Sequence, residues 1–288
     1  MVVNGKRTDN MEQGGLPTAV CACARDEGLY IEEWVNYHLS LGFDLVIIYD
    51  NNVPGDDSLY KILASHIENG RVEIVDYRGM VNFQVKAYND CLDRHRNDIG
   101  WIAFIDVDEF LTFAEDSGYA TIGQYLEDAE KSGTDVVYVN WMLFGDSGKV
   151  RYEPGPVTER FTETAAKDYD ANAHVKSIVS TSAKVRFGRN PHNVNRKFSI
   201  HRAKITDDCF VPVEKNRPRK SISYGKLYLR HYVTKTIEEY IVQKTRRGAA
   251  DCDEKKKYRI YTLDRFYMFN ERTPEKDLVA ADLLKDIM

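Results

Sequence analysis

The sequence predicts an α/β fold, with a mostly parallel central sheet and a less regular second half. Three observations predict it. Short apolar runs alternate with segments of helical period through residues 18–143, the order that builds a sheet covered on both faces. Four of those runs close on polar groups: Arg25/Asp26/Glu27, Asp50/Asn51/Asn52, Asp76/Tyr77/Arg78 and Asp106/Asp108. After Gly145 the rhythm breaks into loops punctuated by Pro154, Pro156, Pro191 and Pro212.

Residues 18–24 are the first strand, and residues 25–28 turn the chain into a helix. Ile31, Trp34, Val35, His38 and Leu39 recur at helical spacing, and Gly42 sits where a helix C-cap belongs. Residues 45–49 form the second strand, followed by the turn residues 54–57. A helix through Leu59, Ile62, Leu63 and Ile67 stops near Gly70, and residues 72–76 are the third strand. Asn82 caps a helix carrying Phe83, Ala87, Cys91 and Leu92. The run 101–105 is the fourth strand, then come a helix over 122–131 and a strand over 136–143. Further on, strand-like pieces occupy 177–181 and 226–229. Thr236 and Glu239 match a capping box that opens a helix through Tyr240, Ile241 and Lys244. Thr273-Pro274 opens a last helix through Leu278, Leu283 and Leu284.

Composition narrows the function classes. The chain has 288 residues, 43% hydrophobic and 30% charged, with a net charge of −5. That suits a globular protein and gives no support to nucleic-acid binding. No apolar run approaches the roughly 18 residues of a membrane span. The polar, Gly-rich residues 1–17 read as a flexible leader without the apolar core of a signal peptide, so a cytoplasmic location is expected. The five cysteines form no C-x-x-C pattern and read as reduced thiols.

Chemistry concentrates at the predicted strand ends. In open α/β sheets the carboxyl ends of the strands line one crevice, where ligands bind. Asp106 and Asp108, one residue apart at the end of an apolar strand, suit a hard divalent cation shared with substrate phosphates. Asp50, Asn51 and Asn52 can hydrogen-bond a ribose or a base edge, or form an Asx-rich turn. Gln84 and Tyr88 share one helix face. His231 follows a short strand and could ligate a metal, as could His174, His192 and His201. The basic stretch of Lys244, Arg246, Arg247 and lysines 255–257 is a solvated surface, a diphosphate contact or, at most, a peripheral membrane contact.

Taken together, residues 18–27, Tyr49-Asp50-Asn51-Asn52, Gln84-x-x-x-Tyr88-Asn89, the run 104–110, His231-Tyr232 and Lys244-x-x-Arg247-Gly248 resemble the GT-A glycosyltransferases, family-2-like and family-92-like. The resemblance covers roughly residues 18–250. It implies a GT-A fold in a single domain over 18–288, with residues 18–143 binding the nucleotide sugar and 144–288 facing the acceptor. It implies that Asp106 and Asp108 hold Mn²⁺ or Mg²⁺ against the donor diphosphate and that His231 is the third ligand. It also implies that Arg25, Glu27 and Asp50 contact uridine and ribose, that Gln84 and Tyr88 touch the donor, and that Arg247 supports the diphosphate. The donor is then a UDP-sugar, and the acceptor an oligosaccharide, lipid-linked or protein-linked glycan. The family favours inversion, which needs a general base. Asp146 is the first candidate, with Glu159 and Asp170 behind it.

Other readings have weaker support. A D-x-D phosphatase places its acid pair after the first strand, followed by Thr or Val, where Phe110 stands here. A nucleotidyltransferase carries an early Gly-rich basic loop, but only Gly28 and one Arg follow Ala24. A non-catalytic nucleotide- or carbohydrate-binding module of the same fold would share every site residue but not turn over a donor.

Overall fold

The computed structural model describes residues 16–195, 203–213, 221–245 and 261–270, together with the backbone of 275–276. Its core is one sheet in the order β3-β2-β1-β4-β8-β6-β10-β5, with β9 beside β6. The strands are β1 (Thr18–Ala24), β2 (Leu45–Asp50), β3 (Val72–Asp76), β4 (Trp101–Phe104), β5 (Glu109–Phe113), β6 (Val136–Leu143), β8 (Val175–Ser180), β9 (Ile205–Thr206) and β10 (Leu227–His231). A separate pair joins β7 (Glu163–Thr164) to β11 (Glu275–Lys276). The first four strands by sequence run parallel, as the alternating pattern predicts. The sheet as a whole is mixed, because β8 runs antiparallel to both β4 and β6.

Period-2 geometry explains the two cores. Val20, Ala22 and Ala24 of β1 face one cluster with Ile31, Trp34 and Val35 of helix α1 (Ile31–Ser40). Ala19 and Cys21 face the other, with Ala87, Tyr88 and Cys91 of helix α4 (Gln84–Arg94). Both faces of β1 are therefore covered, which is why its sequence reads as a continuous apolar run. Each fully buried Val, Leu or Ile in these clusters contributes roughly 1.5–3 kcal/mol of transfer free energy. Among the described residues no helix is long and apolar enough to cross a membrane. Cys21, Cys23, Cys91 and Cys209 are free thiols; Cys252 lies outside the described residues.

Several local expectations need correction. Asn82 does not cap α4: Phe83 is the N-cap residue without a side-chain bond, and Asn82 adopts φ +50° as a turn residue. The helix expected over residues 59–67 is two short ones, α2 (Ser58–Ile62) and α3 (Ala64–Glu68), separated at Leu63. Strand β5 was not foreseen. It follows the acid pair directly and pairs antiparallel with β10. Where Thr273-Pro274 was expected to open a helix, residues 275–276 pair with β7; Leu278, Leu283 and Leu284 lie outside the described residues. A helix not expected from the sequence spans Leu263–Asn270. Two predicted caps are present. Gly42 follows α1 with φ +100°. Thr236 and Glu239 exchange both capping-box bonds at the start of Ile237–Glu239, which runs into a π-helical stretch, Tyr240–Thr245.

Candidate active site

The acid pair lies in the loop where the chain leaves β4 and crosses the sheet edge to enter β5. Register decides what meets it. Glu109 stands opposite His231, and the ladder continues as the Tyr232 N–H donates to the Asp108 carbonyl at 2.9 Å. His231 therefore arrives beside Asp108, with Nε2 3.7 Å from Asp108 Oδ2. On the other side Phe104 pairs with Ser177, which sets Lys176 beside the same loop. Lys176 Nζ lies 2.7 Å from Asp106 Oδ2 and 3.7 Å from Glu109 Oε2.

Side chains from α4, β8 and the π-helical stretch hold the pair. Gln84 Nε2 donates to Asp106 Oδ1 at 2.8 Å, and the Tyr88 hydroxyl donates to the same oxygen at 3.4 Å. The Asp106 N–H donates to Glu109 Oε2 at 2.8 Å. Lys244 forms an ion pair with Asp108 Oδ2. Burial opposes ionisation of both aspartates, yet Lys176 holds Asp106 below its ordinary value, and Lys244 with His231 holds Asp108 well below it. Glu109 goes the other way: burial pushes its carboxyl well up, beyond what Lys176 offsets. Burial also pulls His231 below its ordinary value. Trp141 packs on this histidine at 4.3 Å between ring centroids, and on His174 and His192 at 4.8 and 5.3 Å.

Of the remaining predicted residues, Arg25, Glu27, Asp50, Asn51 and Asp146 end or follow strands at the same sheet edge. Asp50 ends β2, fully buried; Oδ1 accepts from the Asn52 N–H at 2.9 Å, while burial raises its carboxyl. Asn51 does not point its amide at a free cleft. Nδ2 donates to the carbonyls of Tyr77 and Met80 at 2.7 and 2.9 Å, tying β2 to the loop after β3. Arg25 Nε lies 3.7 Å from Asp26 Oδ2. Glu27 is buried, and its carbonyl accepts from Tyr30 and Ile31 at 2.9 and 3.0 Å where α1 begins. Asp146 closes a turn just past β6, with Oδ1 accepting from the Gly148 N–H at 2.9 Å. Glu159 is exposed on the short helix Val157–Arg160. Asp170 lines a cavity of about 600 Å³ with Lys167, Asp168, Ile222 and Tyr224. Arg247 and His201 lie outside the described residues.

Reading the sequence missed Lys176 as a partner of the pair. A lysine in a strand of the irregular half reads as a solvent-facing residue, and only the β4–β8 register reveals its target. Lys244 was noticed as part of a basic stretch, not as the ion-pair partner of Asp108. Among the described residues no three His, Cys, Asp or Glu side chains converge on one point. The expected set of Asp106, Asp108 and His231 is therefore not gathered at one point; what the structure brings together is Asp108 and His231, 3.7 Å apart.

The family model described as Glycosyltransferase family 92 matches residues 17–246. The chain is 26% identical over 215 residues to a glycosyltransferase family 92 protein of Oryza sativa subsp. japonica, covering 74% of this chain and 32% of that protein. It is 30% identical over 105 residues to galactan beta-1,4-galactosyltransferase GALS2 of Arabidopsis thaliana, covering 34% of this chain and 20% of that protein. The chain thus spans no more than 32% of the length of either relative. Among solved structures, S. aureus TarS aligns over 88% of this chain and 43% of TarS, with 14% identity and a TM-score of 0.42.

Proposed function

Because this chain belongs to glycosyltransferase family 92, we propose that it moves a sugar from a nucleotide-diphosphate donor, a UDP-sugar, to a glycan hydroxyl with inversion, and that it uses Mn²⁺ or Mg²⁺. The observation that carries the reading is the meeting of Asp108 and His231 at the carboxyl edge of the sheet, beside Asp106.

Asp108 and His231 would hold the cation, with Asp106 beside them. When bound, it would supply positive charge to the departing diphosphate. The chain's own residues do the rest. Gln84 and Tyr88 on Oδ1 and Lys176 on Oδ2 fix the Asp106 carboxylate, so that it is preorganised before the donor arrives. The buried end of β2, with Asp50, Asn51 and Asn52, bounds the nucleoside side of the crevice. The acceptor approaches past β6, where Asp146 is the candidate to take its proton.

A relative named as a galactan beta-1,4-galactosyltransferase supports a hexosyl donor. A β linkage is also what inversion of an α-linked nucleotide sugar gives. Incubation with a panel of UDP-hexoses, a β-galactan oligosaccharide and Mn²⁺ tests the reading. The expected result is acceptor-dependent release of UDP and a lengthened β-linked glycan. No UDP release with any donor, or phosphate release from a simple phosphomonoester, contradicts it.

A further inference from the structure

Three buried lysines stand around the acid pair: Lys176, Lys235 and Lys244, at 1%, 3% and 7% exposure. Lys176 has Asp106 and Lys244 has Asp108 as counter-ion. Lys235 has neither a hydrogen bond nor an ion pair with any described residue. Its Nζ rests over the ring of Tyr30, 4.3 Å from the centroid. We infer that Lys235 is a diphosphate-binding residue, whose counter-charge comes from the donor instead of from a protein carboxylate. The inference rests on the proposed nucleotide-sugar site and names a residue of it.

A buried ammonium without an anion is costly, and one ring face returns only a small part of that cost. The chain nonetheless fixes it there from both sides. Lys235 adopts φ +52°, a left-handed conformation that a non-glycine residue takes at a cost. Thr236, the next residue, is locked by the capping box with Glu239. The ring beneath is locked as well: the Tyr30 hydroxyl donates to Glu239 Oε1 at 2.6 Å, and Arg160 pairs with the same carboxylate at 2.9 Å. The acids whose charge Lys235 feels most are Asp108 and Glu27. Tyr30, the ring beneath it, bonds back to the Glu27 carbonyl just past β1, so Lys235 stands on the β1 side of the proposed site. A compact ammonium with three donors suits clustered phosphate oxygens better than isolated sugar hydroxyls.

Calorimetric titration of the full chain with UDP, uridine and inorganic pyrophosphate, all without metal, tests this in wild type, Lys235→Met and Lys235→Arg. The melting temperature of each free protein is recorded alongside. Expected for Lys235→Met is a loss of about tenfold or more in affinity for UDP and pyrophosphate. Uridine binding should stay unchanged, and the melting temperature should hold or rise, since an uncompensated buried charge is gone. Lys235→Arg should keep part of the diphosphate affinity. A purely structural role predicts instead a lower melting temperature with all three ligands weakened together, and that result overturns the inference. UDP and pyrophosphate affinities within about twofold of wild type also overturn it. Wild type that binds pyrophosphate through Lys235 but neither UDP nor uridine upholds the anion site and removes the nucleotide reading. Wild type that binds none of the three removes both.

Discussion

Lys176 and Asp106 are 70 residues apart in sequence, yet Lys176 Nζ stands 2.7 Å from Asp106 Oδ2. The strand that carries the lysine, β8, belongs to the irregular half and inserts between β4 and β6. The two halves of the chain are thereby joined through the candidate site itself. Lys176→Met should leave Asp106 without its buried counter-ion and cost roughly 3 kcal/mol, the low end for breaking such a pair because the Asp106 side chain is 33% exposed. Urea unfolding measures it. An unchanged midpoint would show that the pair contributes little to the fold.

His38 sets a pH dependence away from the acid pair. Its Nδ1 donates to the Trp34 carbonyl at 2.8 Å, and its Nε2 accepts from the Leu111 N–H at 3.2 Å, so the neutral ring bridges α1 to β5. Complete burial pushes it down to about 3. A group held below its ordinary value stabilises the fold fully above about 6.5 and loses that contribution as pH falls toward 3. Stability should therefore drop between pH 6.5 and 4.5 by on the order of 1 kcal/mol per unit from this residue. His38→Gln should flatten that part of the slope and leave a residue from His192 and His231, which burial also lowers. Denaturant midpoints across this range check it; an equal slope in the variant contradicts it.

Gly225 lies against Cys209. A Cβ at position 225 would come 2.3 Å from Cys209 Sγ, inside any real contact distance. Gly225→Ala should cost about 1–3 kcal/mol by overpacking. Cys209→Ala in the same chain should recover most of that, because it removes the clashing atom. A double-mutant cycle on thermal unfolding reads the coupling, and additive effects would place the strain elsewhere.

Much of the fold was legible because of burial. Strands β1, β2 and β4 are covered on both faces, so each writes itself as an apolar run, and the acids that follow or end them are conspicuous by contrast. The Thr236–Glu239 box was legible because both of its bonds are local. What could not be read depends on pairing partners far away in sequence. Strand β5 follows Asp108 with no turn residue to announce it, and only β10 gives it an edge. Lys176 and Lys244 carry the residue type that usually marks a solvated face, and their burial follows from the acids that meet them. Asn82 suits both a helix cap and a left-handed turn, and its neighbours do not say which it takes. Within the site, Gln84 and Tyr88 were found through their shared helix face and do reach Asp106. Asn51 was found at a strand end and is bound into the loop instead.

The most direct test of the proposed site is the melting temperature with UDP, with and without Mn²⁺, in wild type and Asp108→Asn. A ligand that binds only the folded state raises the melting point by mass action. Wild type should show a UDP-induced rise that grows when Mn²⁺ is added, and a folded Asp108→Asn variant should show no Mn²⁺-dependent increment. An equal Mn²⁺ increment in both proteins would contradict it.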